Sequence, residues 1–232
     1  MQKIIVLTGA GISADSGLKT FRGADGLWEG HHIEEVATPE AFARNPRLVY
    51  EFYNLRRAQL LDPAIQPNAA HKALAEFEKS YPGSFHIITQ NVDNLHERAG
   101  SENIIHMHGE LQKIRCLQTG ESFFWQDDLD ETTPHPKGIH SSLRPDIVWF
   151  GEMPMHMAEI EELLSDCDVF LSIGTSGNVY PAAGFVNWTK GSCYKVEFNT
   201  EETPISEIFD RTIIGPAAKT VTEWCRDFLT TK

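Results

Sequence analysis

The chain has 232 residues, 33 of them acidic and 20 basic, for a formal net charge of −13 at pH 7. That length suits one sizeable domain, or a large domain carrying a smaller insertion, and 41% hydrophobic with 23% charged residues excludes wholesale disorder. The acidic balance disfavours nucleic acid and anionic membranes and tilts toward a basic partner, such as a lysine-bearing protein. Nowhere is there an apolar run of the ~18 residues that a membrane helix needs.

Met1-Gln2-Lys3 followed by Ile4-Ile5-Val6-Leu7 is basic, then apolar, and breaks at Thr8-Gly9 without a small-residue cleavage site. It reads as a buried parallel strand covered on both faces, and not as an export signal. With that reading the four scattered cysteines (116, 167, 193 and 225) are expected as free thiols in a reducing cytoplasm. Residues 28–68 read as helices and loops, with Glu40 to Leu61 the longest helical pattern. Ala69 to Lys79 is helical, with Ala70, Ala73, Leu74 and Phe77 on one face. Strands follow at Phe85 to Thr89 and Asn103 to His106. Residues 112–146 look irregular, punctuated by Pro134, Pro136, Gly138 and Pro145. Then come a helix at Met157 to Leu164, strands at Val169 to Ile173 and Tyr194 to Phe198, and a last helix at Thr220 to Leu229.

Strands alternating with helices indicate an α/β fold: a doubly wound, Rossmann-like parallel sheet. The two stretches outside that alternation predict a second, smaller lobe. The expected division is 1–27, 69–111 and 147–232 for the sheet domain, and 28–68 with 112–146 for the small lobe.

Gly9-Ala10-Gly11-Ile12-Ser13-Ala14 fits G-x-G-x-x-A between a strand and a helix. That pattern suits either a backbone approach to a pyrophosphate or a purely structural tight turn. A hydride-transfer enzyme would run on to a second strand ending in an acidic residue. Here the chain runs instead through Phe21-Arg22-Gly23-Ala24-Asp25-Gly26-Leu27-Trp28, a polar loop able to fold over a cofactor. Gln90-Asn91-Val92-Asp93 follows a strand, where amides and a carboxylate serve a ligand or cap a helix. Tyr53 and Arg56 lie three apart on one helix face. The guanidinium fork and the phenol suit a carboxylate, or else simply a solvated amphipathic surface.

These blocks, together with Ser16-Gly17-Leu18, His108-Gly109-Glu110, Val148-Trp149-Phe150-Gly151-Glu152, Gly174-Thr175-Ser176 and Asn199, stand in the order found in the sirtuins, NAD-dependent protein lysine deacylases. Over nearly its whole length the chain resembles that family, and within it the bacterial class III desuccinylase and deacetylase type. The resemblance implies NAD as a consumed co-substrate. Asn91 and Asp93 would line the nicotinamide pocket, with Gln90 on the nicotinamide ribose. Gly174, Thr175 and Ser176 would meet the phosphate or adenosine ribose, with Asn199 on the adenosine side and Ala217 near the adenine. Gly9, Ala10, Gly11, Ser13, Ser16, Phe21, Arg22, Trp28 and Val92 complete the implied cofactor set.

The implied chemistry begins when the acyl oxygen of a substrate lysine attacks the ribose carbon bearing nicotinamide. Nicotinamide leaves and an alkylimidate forms. His108, by resemblance the general base, then activates a ribose hydroxyl, with Asn91 and Asp93 as the other catalytic residues. His106 is its near neighbour in sequence. Products are free lysine, nicotinamide and O-acyl-ADP-ribose. Val148, Phe150, Gly151 and Glu152 would form one side of the acyl-lysine cleft, as a β-capable edge, with Val179 and Tyr180 opposite. Tyr53 and Arg56 match the subgroup that removes succinyl and malonyl groups, and the small Ala24 leaves room for them; acetyl removal is expected as well.

The substrates would be acylated lysine-bearing proteins, met by a cytoplasmic monomer with no nucleic acid or membrane partner. The alternatives are mono-ADP-ribosyl transfer and a non-catalytic NAD or ADP-ribose-binding module; the joint presence of His108, Asn91 and Asp93 argues against a dead site. Sirtuins usually bind a structural zinc through two cysteine pairs. Here Cys116 keeps one cysteine of the first pair, and Thr132 to His140 holds none. Cys116 with His135 and His140 makes three ligands where four are preferred, so no zinc is expected. Phe123, Phe124, Trp125 and Ile139 are expected to form an apolar cluster in its place.

Overall fold

The computed structural model describes residues 1–18, 27, 28 and 30–230, with the backbone alone at 27 and 28. In chain order the strands are β1 (Lys3–Thr8), β2 (Leu27–Trp28), β3 (His31–His32), β4 (Ser84–Thr89), β5 (Ile104–His106), β6 (Gly109–Cys116), β7 (Ser122–Phe124), β8 (Leu143–Ile147), β9 (Val169–Ile173), β10 (Tyr194–Asn199) and β11 (Arg211–Ile214). The α-helices are α1 (Ile33–Val36), α2 (Pro39–Arg44), α3 (Pro46–Leu61), α4 (Ala69–Ser80), α5 (Leu95–Ala99), α6 (Met157–Ser165) and α7 (Ala217–Thr230). They fall into two compact units, 1–20, 66–107 and 156–232 in the first, and 21–65 and 108–155 in the second.

The first unit is a six-stranded parallel sheet in the order β11-β10-β9-β1-β4-β5. Side chains alternate across a strand, so the unbroken apolar run of β1 serves two cores at once. Ile4 and Val6 join Leu171, Val196 and Phe198 against Leu74 and Phe77 of α4 and Val221 of α7. Ile5 and Leu7 join Phe170 against Ile160 and Leu164 of α6, with Phe185 and Val186. From β1 the chain builds outward to β4 and β5, then returns to build β9, β10 and β11 on the other side. The strand order therefore reverses between β1 and β9, the switch point at whose carboxyl ends α/β sheets place ligands. The short β11 and α5 were not anticipated from sequence; each has too few residues to show a period.

The second unit differs more from expectation. The pattern read as one helix from Glu40 to Leu61 is two, because Pro46 disfavours helical geometry at Asn45. Asn45 ends α2 and starts α3, with φ −147° and ψ 74°, and its side chain accepts from the Leu48 amide at 3.2 Å. The stretch read as irregular carries a three-stranded antiparallel sheet, β7-β6-β8. Pro145 is tolerated because β8 is an edge strand. Tyr50, Ile114, Cys116, Leu129 and Leu143 form the small core, with Phe42, Phe123 and Trp125 packed on it. Phe124 and Ile139, expected there too, are 65% and 39% exposed. β7 is only three residues long and presents Phe124 on its outer side.

Candidate active site

In the sheet unit the loops at the carboxyl ends of β1, β4, β9 and β10 carry most of the polar residues singled out above. The turn after β1 is a 3₁₀ segment, Ala10–Ser16, ended by Gly17 at φ 88°. A Cβ on Gly9 would meet the Gly174 carbonyl oxygen at 2.8 Å, and one on Gly11 would meet the Gly174 Cα at 2.6 Å. These glycines therefore let two protein backbones touch. The Gly9 and Gly11 amides donate to the carbonyls of Ile173 and Gly174 at 3.0 and 2.8 Å, and the Ile12 amide donates to Gly9.

A buried hydrogen-bond cluster lies beside this turn. Asn91 Nδ2 donates to the Gly9 carbonyl at 3.1 Å and to Ser13 Oγ at 3.2 Å, and Ser13 Oγ donates to Asp93 Oδ2 at 3.0 Å. Asp93 Oδ1 accepts from the Leu95 amide at 3.1 Å, which opens α5. Burial raises the Asp93 carboxyl above its ordinary range, against the pull of those two hydrogen bonds. Asn199 Nδ2 donates to the Thr175 carbonyl at 2.7 Å, tying the ends of β10 and β9 together. Val92, Gln90 and Gly174 are half-buried, Ser176 is exposed, and Ala217 is the first residue of α7.

Sequence reading missed the residues that hold this cluster. Asn68 caps α4 by accepting from the Ala70 amide, and its Nδ2 donates to the Ile12 carbonyl at 2.7 Å and to Ser16 Oγ at 3.0 Å. An asparagine just before a helical pattern was the available signal. Behind the loop, Thr89 Oγ1 accepts from the Asn91 amide and from Thr8 Oγ1, and Thr8 Oγ1 lies 3.2 Å from His96 Nε2. His71 packs edge-on to His96 at 4.9 Å. Nothing local in the sequence marks these partners.

In the second unit His108 is half-buried at the turn entering β6. Its carbonyl accepts from the Val148 amide at 2.9 Å. Gly109, at φ 80°, is obligatory, since a Cβ would lie 2.0 Å from the Asp146 carbonyl oxygen. His106 belongs to the sheet unit, where its ring nitrogens face the Glu97 carboxylate at 2.5 Å and the Asn91 carbonyl at 3.4 Å.

The expected strand at Val148 to Glu152 is a turn beyond β8, with Gly151 at φ 90°. The amides of Phe150 and Glu152 donate to the Ala37 and Trp149 carbonyls. Glu152 is tied inward: Arg144 grips it bidentately at 2.7 and 2.9 Å, and the Trp149 amide donates to it at 2.8 Å. Arg144 itself lies 3.3 Å from the Trp149 ring centre. Trp149 Nε1 donates to the Tyr53 hydroxyl at 3.0 Å.

Tyr53 is fully buried on α3, and burial holds its phenol well above the ordinary range. Arg56, half-buried one turn on, lies 4.5 Å from the Phe52 ring centre. Phe21, Arg22 and Ala24 lie outside the described residues, as does the side chain of Trp28. In the sheet unit Val179 is half-buried and Tyr180 is exposed.

For zinc the donor set does not fit. Cys116 Sγ donates to Ser141 Oγ at 3.3 Å, His135 Nδ1 accepts from the Lys137 amide at 3.0 Å, and His140 is exposed. Among the described residues no group of three or more His, Cys, Asp or Glu side chains could hold a metal ion.

Residues 9–181 match the model of the Sir2 family. The NAD-dependent protein deacylase of Bdellovibrio bacteriovorus is 57% identical, covering 98% of this chain and 97% of that protein. The protein of the same name from Rhodopirellula baltica is 54% identical, covering 93% and 94%. Among solved structures, a Sir2 homologue in complex with NAD superposes with a TM-score of 0.89 at 39% identity, covering 99% of this chain and 90% of that one. The match spans both the glycine turn and the Asn91–Asp93 loop, and the chain belongs to the Sir2 family.

Proposed function

We propose that this protein removes acyl groups from protein lysines with NAD as a consumed co-substrate, yielding nicotinamide and O-acyl-ADP-ribose. The observation that carries the reading is the buried Ser13–Asn91–Asp93 cluster at the sheet's switch point, in a chain whose relatives are NAD-dependent protein deacylases. An amide and a carboxylate held side by side offer the donor and acceptor pair that a carboxamide needs. Bound NAD would supply a ribose carbon from which nicotinamide can be displaced. Asn91 and Asp93 orient that end of the molecule, and Ser13 and Asn68 hold them and the glycine turn in place.

His108 takes a proton from a ribose hydroxyl as general base. His106 is the poorer candidate, because its ring is engaged by Glu97. Tyr53 and Arg56 select succinyl and malonyl over acetyl lysine by meeting the acyl carboxylate, while acetyl lysine is also accepted. The protein binds no zinc: the second unit has its own apolar core, and Cys116, His135 and His140 make at most three ligands where four are preferred. It acts as a cytoplasmic monomer on acylated proteins, without nucleic acid or membrane partners. The charge of −13 disfavours nucleic acid and anionic membranes as partners, and among the described residues no helix is long and apolar enough to cross a membrane.

The test is mass spectrometry of the purified protein with NAD and one peptide carrying acetyl, succinyl or malonyl lysine. Nicotinamide release that requires the acyl group, with stoichiometric O-acyl-ADP-ribose, is the expected result. ADP-ribose attached to protein would indicate transfer instead, and no release at all a binding module.

A further inference from the structure

Two thiols with no part in deacylation touch each other inside the sheet unit. Cys167 lies between α6 and β9, and Cys193 immediately precedes β10. They stand at the starts of two neighbouring strands, which pair there through Tyr194 and Val169, and are one register step from direct opposition. Their sulfur atoms are 3.8 Å apart, in van der Waals contact. Both are free and buried, 0% and 4% exposed. This is the amino end of the strands, opposite to the loops that carry Gly174–Ser176 and Asn199.

The surroundings hold the pair together and make its members unequal. Lys190 binds Asp168 at 2.6 Å, the Lys3 amide donates to Asp168 at 2.7 Å, and Lys3 pairs with Asp166 at 3.2 Å. These contacts anchor the segment before β9 to its neighbours on both sides. Cys193 Sγ donates to Cys167 Sγ, and Cys167 Sγ donates to the Val169 carbonyl at 3.0 Å. Contact with Cys167, aided by Thr189 and Lys195, puts the Cys193 thiol below its ordinary range while Cys167 is pushed up. Burial pushes the Cys225 thiol up to about 12. Cys193 is also the less buried of the two, 4% exposed against 0%, and Cys167 is tied to the Val169 carbonyl, so Cys193 is the nucleophile and Cys167 the resolving partner.

We propose that Cys167 and Cys193 form an oxidation site, which hydrogen peroxide closes to an intramolecular disulfide joining the starts of β9 and β10. The Cys193 thiolate attacks one peroxide oxygen, the O–O bond breaks, and the departing hydroxide takes up the thiol's proton as water. Cys167 sulfur then attacks the resulting sulfenic sulfur, the S–O bond breaks, and hydroxide leaves with the Cys167 proton as a second water. Two thiols lose two electrons and one peroxide gains them. The sulfurs need to close by only about 1.8 Å to reach a disulfide bond, within reach of side-chain rotation and a small backbone shift. A peroxide molecule is small enough to reach sulfurs this buried, whereas a tripeptide disulfide would need the strands to part. Because the bond would lie at the far end of the strands from the candidate site, its effect falls on stability, through closure of a 26-residue loop.

The experiment oxidises the purified full chain with a few-fold excess of peroxide, alkylates it in denaturant and maps the peptides. The expected result is an intact mass lower by about 2 Da, two of the four cysteines protected, and a Cys167–Cys193 peptide pair that a dithiol reductant separates. The oxidised protein should melt several degrees higher than the reduced protein and keep at least half its activity on an acyl peptide. Cys193→Ser should show no protection and no melting shift. Cys167→Ala should stop at a sulfenic acid on Cys193 that dimedone traps. Four alkylatable cysteines after oxidation, a bond through Cys116 or Cys225, or sulfinic acid without cross-linking would each overturn the proposal.

Discussion

One indole N–H sets the direction of a buried hydroxyl. Trp149 Nε1 donates to the Tyr53 oxygen, and burial keeps that phenol in its protonated form across the working pH range. In the proposed reading a succinyl or malonyl carboxylate would accept hydrogen bonds from the neutral Tyr53 phenol and the Arg56 guanidinium fork. Arg56→Met should therefore lower the succinyl-to-acetyl ratio of kcat/KM by roughly 30- to 1,000-fold, the equivalent of about 2–4 kcal/mol for a charge-assisted pair. Tyr53→Phe and Trp149→Phe should each lower it by up to about tenfold. In the Tyr53→Phe background, Trp149→Phe should add nothing further. The measurement is steady-state kinetics on one peptide sequence with each acyl group. A parallel fall for both acyl groups would mean that these residues only support the fold. His108→Ala, which removes the proposed base, should cost about 100- to 10,000-fold in turnover while leaving the melting temperature and NAD binding close to wild type. Near wild-type turnover would reject the assignment.

At the scale of elements, what the sequence revealed depended on what each element buries. β1 and β9 bury both faces in apolar contacts, so their side chains form continuous hydrophobic runs. β8 is buried at every position, yet its sequence is Leu-Arg-Pro-Asp-Ile, because its two charged side chains are paired with oppositely charged partners outside the strand. Arg144 is held by Glu152 and Ile147, and Asp146 by Ser122 and Arg115. No local pattern announces such pairs, and the sheet was read as loop. The loop residues Asn91 and Asp93 were legible through the family motif, whereas Thr8, Asn68 and His96 act through contacts 52 to 88 residues away. The same small sheet bears on zinc. Its core is built from Tyr50, Ile114, Leu129 and Leu143 with Phe123 and Trp125. Chelators should therefore leave the melting temperature unchanged, and elemental analysis should find far less than one zinc per chain. About one zinc per chain, lost together with stability on chelation, would bring Cys116, His135 and His140 back as ligands.

Across the molecule, the buried histidines couple folding to pH. His71 on α4 and His96 on α5 are 0% and 1% exposed, and among the described residues neither ring nitrogen of His71 has a hydrogen-bond partner. Desolvation lowers the His71 pKa to about 4 and holds His96 well below its ordinary value. An unfolded chain exposes both imidazoles at an ordinary pKa near 6.5, so between about pH 6.5 and 4 it takes up protons that the folded chain refuses. Stability is fully present above pH 7 and is lost as pH falls through that window, by on the order of 3 kcal/mol for His71 alone. Asp93 works in the opposite direction: its carboxyl is raised on folding, so its ionisation costs the folded state as pH rises. Comparing variants separates the two. His71→Phe keeps an aromatic ring against His96 and removes the titration, and His71→Gln removes it with a polar side chain. Urea midpoints measured from pH 4 to 8 should fall steeply with acid in the wild type and less steeply in both variants, by close to one proton. Parallel curves would show that His71 takes up its proton as readily folded as unfolded, and its burial would then contribute nothing to acid sensitivity.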